Sequence, residues 1–320
     1  MRIYVLALNQ VFDTGLSAFL DTFSTANNLT KSLGASSTRF NVTIVGVRPQ
    51  VHTRHGLSVP VRLARRLTHP DVVLVPALGA HLPETLRVAL EQQEITDAQM
   101  LLREWSASGT LVGSACTGTF ILAGTSLLNG QSATTSWWLA PFFRERYPHV
   151  VLDDSRMLVS SSRFVTAGAS LAHLDLALWL IRRRSPSLAA LTARYLVIDS
   201  CPSQAAFMIP DHLAHSDPLV ERFERWARRH LASGFSLSGA ARAVVTSERT
   251  LARRMHSVLG KSPLAYFQDL RVERAVHLLQ TSSASIDQIA IQVGYADGVT
   301  LRTLIRRKIG RGVRDLRPRR

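Results

Sequence analysis

Cysteine is scarce in this chain: its 320 residues hold only two, Cys116 and Cys201. Two thiols exclude a disulfide framework and a zinc site built from cysteines. Long apolar runs are absent as well. No uninterrupted stretch approaches the roughly 18 residues that a membrane-spanning helix needs, so no membrane partner is expected. The opening run Met1–Leu8 turns polar at Asn9-Gln10. It is too short for a secretory signal and reads better as a first strand, which makes a cytoplasmic protein the default expectation. Acidic residues are also few, 23 against 38 Lys and Arg. The imbalance is uneven. From Asp217 to the end there are 20 Lys and Arg against 9 Asp and Glu, whereas residues 1–216 hold 18 against 14. Such a concentration of positive charge suggests a polyanionic partner for the last third of the chain. A hydrophobic content of 46% supplies enough apolar side chains for packed cores.

Residues 1–184 alternate short β-branched runs with amphipathic stretches. Ile3–Leu8, Phe40–Val47, Val72–Pro76, Thr110–Ser114 and Arg163–Thr166 have the pattern of strands. Ser17–Leu29, Thr96–Ser108, Gly118–Leu128, Ser136–Tyr147 and Ala169–Arg183 have the pattern of helices. This alternation implies a doubly wound α/β domain, a parallel sheet with helices on both faces. A further helix is expected at Leu188–Ile198, and the proline-bearing stretch 201–217 reads as a linker. From Pro218 onward the periodicity is helical throughout.

That all-α part contains an internal repeat. Ser236-Leu-Ser-Gly-Ala-Ala241 matches Ser285-Ile-Asp-Gln-Ile-Ala290 at an offset of 49 residues. Thr250-Leu251 matches Thr300-Leu301, and Gly260 matches Gly310, at an offset of 50. The extra residue falls in a turn, where insertion is tolerated best. Each copy has a candidate N-cap serine, a short helix with a small alanine on its packing face, a tight turn and a longer helix. This is the grammar of a helix-turn-helix. The longer helices carry Ser247, Glu248, Arg249, Arg253 and Arg254 in the first copy, and Asp297, Thr300, Arg302 and Arg306 in the second. Arginine pairs bidentately with guanine in the major groove, while hydroxyls and helix N-termini suit phosphates. The competing reading is a basic helical bundle that binds a protein.

At these residues the sequence resembles the AraC/XylS family of regulators. The family pattern Ser-x-Arg-x-Leu-x-Arg is met by Ser247-Glu-Arg249-Thr-Leu251-Ala-Arg253. Gly-x-Ser-Pro-x-x-Tyr is met by Gly260-Lys-Ser262-Pro263-Leu-Ala-Tyr266, and Ile-Ala-x-x-Val-Gly-Tyr by Ile289-Ala290-Ile-Gln-Val293-Gly294-Tyr295. The linker-helix positions are Arg271, Ala275, Leu278 and Leu279. The second recognition helix departs from the pattern. Where the family shows Phe-x-Arg-x-Phe, this chain has Leu301, Thr303 and Ile305. The resemblance implies double-stranded promoter DNA as a partner, with most base readout in the first unit. It also implies a homodimer and leaves room for a contact with RNA polymerase.

In the N-terminal part, Gly113-Ser-Ala-Cys116-Thr-Gly118 lies between an expected strand and an expected helix. This is the architecture of a nucleophile elbow. The helix dipole at that position would stabilise a thiolate. The stretch Cys116-Thr-Gly118, Leu122-Ala-Gly124, Ala133-Thr-Thr135, Trp137 resembles the ThiJ/PfpI branch of the class I glutamine amidotransferase-like fold. Members that keep the motif place His before the Trp, whereas here the run is Thr134-Thr135-Ser136-Trp137. Serine supplies neither base nor cation, so no catalytic residue is assigned. Three readings of Cys116 stand side by side: a nucleophile, the lining of a ligand pocket (a redox sensor included), and an inert relic of the fold. The candidate pocket comprises Asp13, Cys116, Thr117, Ser136 and Trp137. Asp13 is placed in the loop after the first strand, and His173 is the histidine with a path to the pocket.

The expected organisation is a sensor and dimerisation domain at 1–200, a linker at 201–217 and a DNA-binding domain at 218–317. The expected function is that of a DNA-binding transcription regulator controlled by a small-molecule effector, with no cofactor and no metal. A cysteine-dependent amidase or hydrolase tethered to DNA, and an architectural DNA binder without a ligand, are the alternatives.

Overall fold

A computed structural model describes residues 1–32, 39–199, 203–204, 207–208, 217–310 and 312–317. The chain divides into two compact units, Met1–Gln204 and Ala205–Arg320. Most of the expected linker, with Cys201, lies outside the described residues.

The first unit is built on a seven-stranded sheet in the order β10-β11-β7-β6-β1-β2-β5. Its strands are β1 (Arg2–Leu6), β2 (Asn41–Gly46), β5 (Arg62–Leu63), β6 (Val72–Val75), β7 (Leu111–Ala115), β10 (Leu158–Ser161) and β11 (Phe164–Ala167). All neighbours are parallel except β10 with β11. The ribbons β3 (Val51–His52) with β4 (Ser58–Val59), and β8 (Ser132–Ala133) with β9 (Val151–Leu152), stand apart from it. Strands of two residues carry no period, so the sequence shows no sign of them.

Alternation along the strands sorts side chains to two cores. Ile3 and Val5 of β1, with Val72 and Leu74 of β6, join the core that holds Phe19 and Phe23 of α1 (Asp13–Ser32). Leu176 and Ile181 of α6 (Ala172–Arg184) and Leu188 of α7 (Pro186–Tyr195) complete that side. Tyr4, Leu6, Val73 and Val75 point the other way, toward α2 (Pro83–Leu90), α3 (Gln93–Ala107), α4 (Gly118–Ala123) and α5 (Ala140–Arg146). Side chains of successive strand residues stand on opposite faces, so runs buried on both sides must be apolar throughout.

Two expected helices are shorter than their patterns. The chain turns after Ala123, with Ser126 at φ +65. The Ser136–Tyr147 stretch splits into a 3₁₀ turn at Trp137–Leu139 and α5, because Pro141 fits only in a first helical turn. Asp13 opens α1 rather than lying in a loop, and α2 has no counterpart among the expected helices.

The second unit is all-α among its described residues: α8 (Pro218–Arg229), α9 (Leu237–Ala243), α10 (Glu248–Leu259), α11 (Pro263–Thr281), α12 (Ile286–Gln292), α13 (Gly298–Ile309) and α14 (Val313–Leu316). Side-chain caps define most starts. Asp217, Ser236, Ser247, Ser262, Ser285 and Asp297 each accept a backbone N–H at the head of the helix that follows. α11 packs against α8, α10, α12, α13 and α14 and so joins the two halves of the unit. Its Arg271 is buried, donates from Nε to Leu231 O at 2.9 Å and lies over the Phe267 and Tyr295 rings.

Candidate functional site: two capped recognition helices and a closed cysteine elbow

In the first helix-turn-helix, α9 and α10 meet across the buried Ala241, and in the second, α12 and α13 meet beside the buried Ala290. Small side chains at these points let two helix backbones approach closely. The turns need a left-handed residue at the same place in each repeat, Val245 at φ +56 and Gly294 at φ +86. Ser247 accepts from Thr250 N at 3.1 Å, and Asp297 accepts from Thr300 N at 2.7 Å. Hydrogen bonds from Thr300 hold the Asp297 carboxyl below its ordinary range. Leu251, Met255 and Leu259 point into the unit from α10, and Leu301, Ile305 and Ile309 do so from α13.

The opposite faces are open. Glu248, Arg249 and Arg253 on α10, and Thr300, Arg302 and Arg306 on α13, are exposed. Arg254, expected among the DNA contacts, is engaged elsewhere. Its Nε pairs with the Asp217 carboxylate, whose other oxygen caps α8 by accepting from Leu219 N and Val220 N. Arg254 thus fastens α10 to α8. Lys261 and Lys308, near the C-terminal ends of α10 and α13, both pair with Asp269 on α11. These ties fix the mutual arrangement of the two exposed faces.

The elbow of the first unit is formed and then closed. Cys116 follows β7 with φ +54, a conformation a side chain rarely adopts. Its N–H donates to Ala167 O at 2.9 Å, continuing the ladder to β11. Gly118 is required at the next step, because a Cβ there would lie 2.4 Å from Val75 O. Cys116, Thr117 and Ser136 are all fully buried. Thr117 Oγ1 accepts from Leu78 N and donates to Leu78 O, so it staples a loop.

Cys116 Sγ and Ser136 Oγ are 2.8 Å apart, and Ser136 Oγ also donates to Gly168 O at 3.1 Å. Serine has one proton. Spending it on Gly168 O leaves Ser136 Oγ to accept from the thiol, which must therefore stay protonated. Burial pushes the Cys116 thiol up, against a smaller pull from the Thr117 backbone N–H. This corrects the expectation of a dipole-lowered thiolate. α4 has six residues and its first turn is buried, so desolvation of the charge outweighs the dipole. A redox sensor, which needs an exposed low-pKa thiol, does not fit this setting.

Among the described residues no histidine or carboxylate bonds the thiol, whose side-chain partner is Ser136. His173 is fully buried, and both ring nitrogens are spent: Nδ1 donates to Ser170 O at 2.7 Å and Nε2 accepts from Ala77 N at 3.1 Å. Burial lowers its pKa to about 4, so the ring is neutral. Asp13 pairs with His55 at 2.9 Å rather than with Cys116. Trp137 is buried, its ring edge-on to Trp138.

No periodicity or motif marks Gln204, which lies in the expected linker. It is fully buried, its Nε2 donates to Thr135 O and Thr134 Oγ1, and its Oε1 accepts from Trp137 N. Gly168 leaves room for it, since a Cβ there would lie 2.5 Å from Gln204 Nε2. A cavity of about 790 Å³ lies elsewhere in this unit, lined in part by Asn9, Gln10, Leu78, His81, Leu82 and Glu94. None of the five expected pocket residues lines it. Among the described residues, no cluster of His, Cys, Asp or Glu could hold a metal ion, and no helix is long and apolar enough to cross a membrane.

These features define a class: an α/β elbow domain joined to a paired helix-turn-helix. The DJ-1/PfpI family profile matches residues 1–183, and a helix-turn-helix domain profile matches residues 240–319. The chain belongs to the DJ-1/PfpI family and carries a C-terminal helix-turn-helix domain of the AraC type. It is similar to the HTH-type transcriptional regulator ArgR of Pseudomonas aeruginosa, 27% identical over 203 residues, 62% of this chain and 61% of that one. It is also similar to the regulator GbdR of the same species, 24% identical over 212 residues, 65% of this chain and 58% of that one. The chain thus spans about three fifths of the length of these relatives. Among solved structures, an AraC family transcriptional regulator from Pseudomonas putida aligns with TM-score 0.50 at 20% identity, covering 61% of this chain and 98% of that one. Drosophila melanogaster DJ-1beta aligns with TM-score 0.50 at 16% identity, covering 62% and 98%. Similarity at this level shows the fold.

Proposed function

We propose that this chain is a sequence-specific DNA-binding transcription regulator whose α/β unit has no catalytic role and responds to a small-molecule effector. The observation that carries the reading is the repeated geometry of α10 and α13. Each helix is capped by a side chain, buried along one face, and armed with exposed arginines along the other. That is what a major-groove recognition helix requires. Proteins named as HTH-type transcriptional regulators are similar to more than three fifths of this chain. The closed elbow supports a non-enzymatic role, because Cys116 is a protonated donor with no base beside it. The cavity beside Glu94 has the size of a small-ligand site. A homodimer that sets two such units on one operator, in the cytoplasm and within reach of RNA polymerase, completes the proposal.

The test is DNA binding by the full-length chain to duplexes selected from a random pool. Affinity should fall steeply between 50 and 200 mM salt, because each phosphate contact releases a counterion; for six to ten contacts the loss is on the order of 10³–10⁵. Arg249→Ala should weaken binding to the selected duplex by about 10- to 100-fold and leave non-specific binding nearly unchanged. Affinity that ignores salt, or Arg249→Ala and Arg253→Ala variants that bind as tightly as the parent, would refute the reading.

A further inference from the structure

We infer that the second helix-turn-helix recognises thymine methyl groups, while the first recognises hydrogen-bonding base edges. This deepens the DNA-binding reading above and rests on it.

α10 and α13 are both 12 residues long, begin after Ser247 and Asp297, and end at the left-handed Gly260 and Gly310. They therefore correspond residue for residue at an offset of 50. The positions buried in both agree in chemistry: Leu251 with Leu301, Met255 with Ile305 and Leu259 with Ile309. Positions exposed on α10 do not. Glu248 corresponds to Gly298, Arg249 to Val299, and Arg253 to Thr303. Gly298 offers no side chain, and a Cβ there would lie 2.5 Å from Asp287 Oδ1, which accepts its N–H.

Val299 is 67% exposed, an apolar side chain on the open face of α13. Thr303 lies one turn further along the same face and is exposed. Its hydroxyl donates to Val299 O at 3.0 Å. The one donor that Thr303 owns is thus spent inside the helix, and its methyl is left beside the valine. The N-terminal half of a recognition helix is the part that meets base edges. In α10 that half presents Glu248, Arg249 and Arg253. In α13 the positions that correspond to Arg249 and Arg253 carry two methyl-bearing groups, and the exposed guanidinium of that half, Arg302, falls where α10 has Ala252. The C5-methyl of thymine is the apolar group that the major groove displays. Arg302 and Arg306 are exposed nearby and suit the flanking phosphates.

The full-length chain should select, from random duplexes, a site with two halves about one helical turn apart. One half should carry guanine and the other thymine. Each thymine is then replaced by uracil, which lacks only the methyl, and affinity is measured by fluorescence anisotropy at fixed salt. Loss of one buried methyl should weaken binding about four-fold. Val299→Ala should weaken binding to the thymine site and abolish the response to uracil there. Val299→Arg should move the selected base toward guanine, a gain that misfolding cannot produce. If uracil is tolerated at every position while Arg249→Ala still weakens binding, this inference fails and the regulator reading survives. A pool that yields no consensus at all overturns the regulator reading and this inference with it.

Discussion

His173 and Asp175 stand two residues apart at the start of α6 and should pull the stability of the α/β unit in opposite directions as pH falls. Burial lowers the His173 pKa to about 4 from an unfolded value near 6.5. A depressed value means the folded state resists protonation, so its stability is full above 6.5 and drains as pH falls toward 4. The linkage integral gives a loss of about 2 kcal/mol between pH 7 and pH 5. Asp175 is the reverse case. Burial raises its carboxyl to about 6, against the pull of Arg182. A raised value means the folded state favours the proton, so stability is full below 3.8 and is lost as pH rises through 6. From pH 7 down to pH 5 this returns about 1.3 kcal/mol. The two nearly cancel, so the parent should change by less than about 1 kcal/mol across that window. Asp175→Asn removes one arm. The variant should be more stable than the parent at pH 7 and should lose about 2 kcal/mol by pH 5. Urea unfolding followed by tryptophan fluorescence measures this. A Trp226→Phe background confines the signal to Trp105, Trp137, Trp138 and Trp179 of the first unit. An Asp175→Asn curve that is flat from pH 7 to pH 5 would refute the claim that His173 is held neutral by burial.

Two further outcomes follow from backbone and thiol geometry. Val245 holds φ +56 with a side chain 90% exposed, so Val245→Gly removes left-handed strain without losing a packed contact and should stabilise the second unit by about 1 kcal/mol. Gly294→Ala at the matching turn should do the opposite, because its Cβ would fall 2.3 Å from Leu231 O; thermal melts of the two variants should shift to opposite sides of the parent. In a Cys201→Ser background, Cys116 should resist aromatic disulfide reagents at pH 8 as long as the fold holds, with labelling that tracks unfolding; prompt stoichiometric labelling of the native chain would contradict the buried, protonated thiol.

The parts that the sequence displays are those whose physics is periodic or local. Val72–Val75 is a run of apolar residues because both faces of β6 are covered, and that shows without any structure. Ser247 and Asp297 stand immediately before periodic helices, where a cap is expected on local grounds. What stayed hidden depends on long-range pairing. Arg254 follows Arg253 in the sequence, and only the fold ties it to Asp217, 37 residues away. Gln204 sits among prolines, and only its hydrogen bonds to Thr134 and Thr135, some 70 residues earlier, make it part of the elbow.

Ser136 shows how the two kinds of information combine. Its identity says that the base of the family motif is missing; its geometry says what replaced it. A serine at 2.8 Å accepts from the thiol and donates its own hydrogen bond to Gly168 O. A strained φ at Cys116 costs on the order of 1–3 kcal/mol and persists only where the surroundings fix it. Here those surroundings are Thr135 Oγ1, which donates to Cys116 O at 2.8 Å, and Ala167 O, which accepts its N–H. The elbow therefore also acts as a joint between β7, β11 and the Thr134–Ser136 loop.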